Sequence, residues 1–408
     1  MFVMKKLLRI ALAVVAAFLF IVPAGAQTYY VAISLEGGGV VVMGSNGVTY
    51  NLEGKEVADI AVSFSDVMTL VRTTDVPGRW FDGRKNTHMP GWGEYVLYSN
   101  DSVYKKYPYG DPNTCCISSA ALKVSDDFVV VAGTYAKRWK DTNYYYGKLW
   151  GELDGEVLYG DPKSSDGWVR MSLKRKWFQG LAEPSRGLLN VGYANTPDVD
   201  GSFSSVYHVY DCAFVNEHLY AAGWGENEYT YYNAGLAQDV YYVRRCARIW
   251  RDGKEYIAPY KNQTSSVRNI TIAGSGDWPV IFTSGHHRGH PMMWNDKKEV
   301  EGIKKDLNGV ITAEAVLSYN NITRRYFIID NTLYCHENNK THKLSEGVFD
   351  IVATEYGPCF VALDQFETTG ELAAVVYGLG YEYNTVAPLC SFPLKGLWVS
   401  GIKLAVKD

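Results

Sequence analysis

The sequence predicts an all-β fold built from repeats. A strand ending on an aromatic, a tight polar turn and a departing strand recur along the chain, most clearly in Cys246-Ala-Arg-Ile-Trp-Arg-Asp-Gly-Lys-Glu-Tyr-Ile257. Copies stand at Gly147–Val157 and Pro291–Val300, with weaker ones around Tyr50, Trp80 and Tyr334. The aromatics Trp250, Trp294, Tyr334 and Tyr377 are 44, 40 and 43 residues apart. A period in the low forties with about four strands per unit is the signature of a β-propeller. Composition agrees: Tyr (31), Trp (11) and Gly (39) are abundant, and no convincing amphipathic helix follows the first residues.

Residues 1–26 are set apart from the fold. Lys5, Lys6 and Arg9 precede an apolar run from Ile10 to Val22, and Ala24-Gly25-Ala26 offers a small-residue cleavage site before Gln27. That pattern is a signal peptide, too short for a spanning helix. Its loss removes three positive charges and takes the formal net charge from −4 to −7. The expected location is secreted, periplasmic or cell-surface. An acidic mature chain excludes nucleic acid as a natural partner, because phosphate backbones need clustered positive charge.

Residues 27–408 are read as one propeller. Its first unit takes Gly39–Gly44 as second strand and Val48–Leu52 as third. The second opens at Ala58-Asp-Ile-Ala-Val-Ser, and either Arg79-Trp80 or Glu94–Tyr98 supplies its inner hairpin. The third, Ile117 to Pro162, carries Phe128–Gly133 and Lys148-Leu-Trp150. Residues 163–205 break the rhythm and are an insertion or a degenerate blade. Later units open at Val209-Tyr-Asp-Cys-Ala-Phe, Val267-Arg-Asn-Ile-Thr-Ile, Ile311–Leu317 and Phe349-Asp-Ile-Val-Ala. The count favours seven four-stranded blades, with six to eight compatible. Leu397–Val406 is a terminal strand that closes the ring on the N-terminal blade, which removes the open edges of a linear array.

The apolar-Ala-Gly strand, the variable loop and the aromatic-x-Asp-Gly-Lys-Glu hairpin resemble repeats of secreted bacterial β-propeller proteins. They are loosely similar to kelch-type units, although the kelch paired-glycine pattern is not reproduced. The resemblance implies the fold and export, and no activity.

All seven Cys lie beyond residue 26, so at least one lacks an intrachain partner. Cys212 and Cys246 fall in the first and third strands of one unit, about 9–10 Å apart, too far for a disulfide. No Cys-x-x-Cys pair supports a structural zinc. His286, His287 and His290 have a metal-like spacing but sit beside Gly285, Gly289 and Pro291 in what reads as a loop, so no metal is assigned. No phosphate-cradling loop, dinucleotide fingerprint or nucleophile elbow is present, and no cofactor is implied.

Segments between second and third strands lie on the face that also carries the blade-to-blade connections. Three of these segments are long or unusual and read as loops. The first holds Trp139, Tyr144, Tyr145 and Tyr146; the second Trp224, Tyr229, Tyr231, Tyr232 and Tyr241; the third His286 and His287. Aromatic rings among Asn, Asp and Glu suit a sugar, whose CH faces stack while its hydroxyls bond to amides and carboxylates. The expected function is therefore non-catalytic binding of a glycan or an extracellular or envelope protein. The alternatives are a glycan-degrading enzyme with carboxylates at the central funnel and a structural module of envelope assembly.

Overall fold

The computed structural model describes residues 27–63, 66–76, 79–80, 88–89, 92–107, 114–125, 128–139, 142–153, 156–158, 168–173, 176–181, 207–215, 218–251, 254–257, 264–273, 280–303, 307–319, 322–365, 370–380 and 386–407. The cleavage site and the Asp252-Gly253 turn lie outside the described residues. Among the described residues every regular element is a strand, and no helix is long and apolar enough to cross a membrane.

Among the described residues the strands form seven antiparallel sheets of four, numbered here in chain order. Their inner strands are Val399–Lys407, Glu56–Val62, Thr114–Ser125, Tyr207–Val215, Ser265–Ala273, Ala313–Tyr319 and Val348–Thr354. Each inner strand contacts the next in that order, and Val348–Thr354 returns to Val399–Lys407, so the ring closes. This is a single propeller with four-stranded blades.

Closure is made by the C-terminal strand, which pairs with Thr28–Leu35 from Thr28↔Lys407 to Leu35↔Val399. Its inner place shifts the N-terminal strands outward: Thr28–Leu35 is second, Val40–Gly44 third and Thr49–Leu52 outermost. The expectation that 39–44 and 48–52 are second and third strands of the first unit is corrected by one position. In the second sheet the third strand is Trp92–Ser99, whereas Arg79–Trp80 pairs with His88–Met89 as a separate small ribbon. Within 163–205, Trp168–Leu173 pairs with Lys176–Leu181 as a two-stranded ribbon, while the inner strands of the third and fourth sheets touch each other directly.

The core lies between sheets. Each apolar cluster among the described residues joins two neighbours, as Tyr220, Ala222 and Ile249 of the fourth sheet do with Val267, Ile281 and Trp294 of the fifth. The repeated third-strand aromatics serve these seams: Trp250 and Trp294 are buried, and Tyr334 and Tyr377 stack on Phe327 and Phe360 at 5.5 and 5.2 Å. Tight turns are supplied by residues that tolerate positive φ, such as Asp330-Asn331 (48° and 57°) and Asn338-Asn339 (51° and 58°). Cys212 and Cys246 are buried in the first and third strands of the fourth sheet, with the second strand between them and no disulfide joining them.

One seam holds a buried ion pair. Arg325 of the sixth sheet donates from Nε to Glu314 at 2.5 Å, from Nη1 to Trp294 O and Asn295 Oδ1, and from Nη2 to Thr283 O of the fifth. Both side chains are nearly inaccessible, at 2% and 0%. Removing one partner of such a pair leaves an uncompensated buried charge. Arg325→Met should therefore lower stability by about 3–5 kcal/mol in chemical denaturation, measured beside Arg325→Met/Glu314→Leu, which should recover part of the loss.

Candidate functional site

An inner strand has a neighbour on one side only, and its other edge faces the axis with backbone N–H groups that no ladder satisfies. Here carboxylates satisfy them. Asp59 accepts from its own Ile60 N (2.9 Å) and from Leu122 N of the next inner strand (2.7 Å). Asp211 accepts from Cys212 N (2.8 Å) and from Ile270 N of the next strand (2.9 Å). Asp350 accepts from Leu404 N (2.9 Å). Pairing with the second strand shifts register between Val57 and Asp59, Val209 and Asp211, Val348 and Asp350, and also Val267 and Asn269. The extra residue at such a bulge re-aims the side chains beside it. Asn269, at the equivalent place in the fifth sheet, donates to Ile311 O, just ahead of the sixth sheet's inner strand, at 3.1 Å.

Two lysines complete the pattern. Lys123 approaches Asp211 at 3.3 Å and Lys403 approaches Asp350 at 3.7 Å, with side chains 40% and 31% exposed. Going round five consecutive inner strands, the axis reads Asp350, Lys403, Asp59, Lys123, Asp211. Asp211 draws the Lys123 ammonium pKa up, and Asp350 does the same for Lys403. Burial pushes the Asp59 carboxyl up, against the pull of both lysines. The lumen these residues line, together with Tyr210, Arg268 and Glu314, has a volume of about 820 Å³.

The residues singled out from sequence fall elsewhere, and their segments are strands rather than loops. Trp139 ends the strand Phe128–Trp139, which pairs with Thr142–Leu153; Tyr144, Tyr145 and Tyr146 stand opposite Lys137, Ala136 and Tyr135. His218–Asn233 pairs with Gln238–Arg251, placing Tyr229 opposite Tyr242, Tyr231 opposite Val240, Tyr232 opposite Asp239 and Tyr241 opposite Thr230. Tyr, Trp and Thr favour extended backbone, which explains the outcome. Among the described residues the pairing of the inner strand Tyr207–Val215 reaches Gly225. From Glu226 onward the described pairing is that of the second strand with the third alone, a ribbon of about 26 Å at 3.3 Å per residue. Its tip is exposed, with Leu236 at 60%.

Trp224 lies below this ribbon and is buried, its Nε1 donating to Tyr210 Oη at 2.8 Å. It belongs to the body of the propeller. His286 and His287 end the strand Val280–His287, and Arg288-Gly289 is a two-residue turn with positive φ before His290. His286 Nδ1 and Ser266 Oγ are 2.9 Å apart. Among the described residues no group of three or more His, Cys, Asp or Glu is placed to hold a metal ion. The structure thus joins Trp224 to Tyr210 and the Arg268 next to it, leaving the ribbon tyrosines apart. The axial aspartates were missed, although an Asp or Asn recurs in the Val-x-Asp opening of the inner strands at 59, 211, 269 and 350.

No family model and no curated protein matches the chain. Solved structures do. A chain described as the Dos1 propeller aligns at 12% identity and TM-score 0.37, covering 87% of this chain and 76% of its own. The dihydro-heme d1 dehydrogenase NirN aligns at 11% and 0.40, covering 92% and 74%. Trypanosoma rangeli sialidase in complex with sialic acid aligns at 9% and 0.35, covering 89% and 58%. At these values the architecture rests on the sheet topology of the chain itself.

Burial lowers the pKa of His286, helped by Arg268 and His287; burial likewise lowers His287 and His336. A base whose folded pKa is depressed contributes stability above its unfolded pKa, here 6.5, and loses it as pH falls through the folded value. The melting temperature should therefore fall as pH is lowered below 6.5. His286→Gln should flatten that slope, whereas parallel wild-type and mutant curves would contradict the assignment.

Proposed function

We propose that this chain is an exported, non-catalytic binding propeller that takes a glycan or an extracellular or envelope protein on its ribbon-bearing face. The carrying observation is the paired segment from Glu226 to Arg245, which extends beyond the described residues of its inner strand. An isolated two-stranded ribbon is marginal in water and gains from a surface laid against it. Tyrosines are dense along it, and tyrosine gives contact area at low entropic cost. The neighbouring hairpin of the third sheet, with Trp139 and Tyr144 to Tyr146, opens on the same face of the ring. Export follows from the N-terminal basic and apolar pattern.

A hydrolase with carboxylates at the funnel is the weaker reading. Asp59, Asp211 and Asp350 already accept backbone N–H groups, and two of them face lysines. A catalytic acid and base need oxygens free to reach substrate. A purely structural envelope module would leave the ribbon without a soluble ligand.

The test is truncation of the ribbon by replacing residues 227–244 with Asn-Gly. Wild-type protein should score binders in a glycan array or an envelope-protein pull-down, and the truncated protein should lose them with a melting temperature within about 2 °C of wild type. Retained binding by the folded truncation would move the site off the ribbon.

A further inference from the structure

The charged side chains of the axial lumen are almost all matched. Glu314 is held by Arg325, Asp211 by Lys123 and Asp350 by Lys403, while Asp59 accepts two backbone amides between the two lysines. Arg268 is the exception. It is the extra residue of the bulge between Val267 and Asn269, and Tyr210 is the corresponding residue of the neighbouring sheet. The Arg268 guanidinium lies over the Tyr210 ring at 3.7 Å, and Trp224 fixes that ring through its hydroxyl. Its Nε is buried without a hydrogen-bond partner, and among the described residues no carboxylate pairs with it. His286 beside it is held towards the neutral form, so it does not compete for an anion.

A guanidinium in a lumen wall, placed over an aromatic ring and lacking a counter-charge among the described residues, is a receptor for a planar anion, since its donors fit a carboxylate in a two-pronged contact. A single positive charge close to Asp211 favours a monoanion over a doubly charged phosphate. The lumen, at about 820 Å³, is of a size that holds small ligands, and its aspartates and lysines offer partners to hydroxyl groups. We infer that the axial lumen binds the carboxylate end of an acidic saccharide, with Arg268 stacked on Tyr210 as the anchor. This rests on the reading of the chain as a glycan-binding propeller and adds a second site on the same molecule.

The test is calorimetric titration of the full propeller with galacturonate, a monoanion, with its neutral counterpart galactose and with inorganic phosphate. Galacturonate should bind at least about tenfold more tightly than the neutral sugar, the size of effect a charged hydrogen bond supplies. Arg268→Gln should lose about that factor, and Arg268→Lys, which keeps the charge without the fork, should fall between. No uronate binding to wild type would overturn the inference, as would equal affinity in folded Arg268→Gln. Tighter binding of phosphate than of uronate would make the lumen a free-anion site and equally overturn it. Should Arg268→Gln fail to fold, the wild-type preference for acid over neutral sugar and the Arg268→Lys titration still decide. Ribbon-dependent binding that ignores Arg268 would sink this inference alone; Arg268-dependent uronate binding with no ribbon-dependent ligand would sink the proposed function alone.

Discussion

The ring depends on how an inner strand treats its open edge. Every sheet presents such an edge to the axis, and its N–H groups cost free energy if left bare in a confined lumen. In this chain an aspartate of one sheet reaches the backbone of the next, at the Asp59–Leu122, Asp211–Ile270 and Asp350–Leu404 contacts. Each contact both satisfies a donor and sets the spacing of neighbouring sheets. The lysines at 123 and 403 then balance the charge that this solution concentrates at the axis. Apolar seams between the sheets supply most of the burial, but they are non-directional and leave sheet-to-sheet register to the polar contacts.

The same economy shapes the chemistry. Carboxylates committed to backbone amides are poor general acids and bases, which is why the proposal sets the axial acidic groups apart from catalysis. What remains available is a cation, Arg268, over the Tyr210 ring, and a ribbon that extends from the fourth sheet past the described residues of its inner strand. The two proposals rest on these features, one at the axis and the other on the ribbon-bearing face. They are joined through Trp224, which sits at the root of the ribbon and bonds the tyrosine under Arg268.

Much of this architecture was legible in the sequence. Third-strand aromatics such as Trp294 repeat because each must fill a seam of similar width, and seam filling leaves a periodic trace. The C-terminal strand's pairing with the first sheet was legible from its apolar alternation, but its inner position was not, so the first sheet's strands were each misplaced by one. The Tyr-rich segments were read as loops because their sequence shows no apolar alternation, although its residue types favour strand. The axial aspartates recur in a Val-x-Asp opening, but nothing local shows what they hold, since Asp59 and Leu122 are 63 residues apart in sequence, and Asp211 and Ile270 are 59 apart. Arg268 was invisible for a similar reason: its significance lies in the carboxylate that does not accompany it.

The central claim is that axial carboxylates hold neighbouring inner strands together through backbone amides. It is tested most directly by native-state amide hydrogen exchange in wild type and Asp211→Ala, read at Ile270. The account predicts an Ile270 amide protected nearly as well as the ladder amides of the fifth sheet in wild type, and a selective loss of at least about tenfold in protection on substitution. The amides of Leu122 and Leu404, held by Asp59 and Asp350, should change no more than global stability does. Fast exchange at Ile270 in wild type, or the same protection in both proteins, would contradict it.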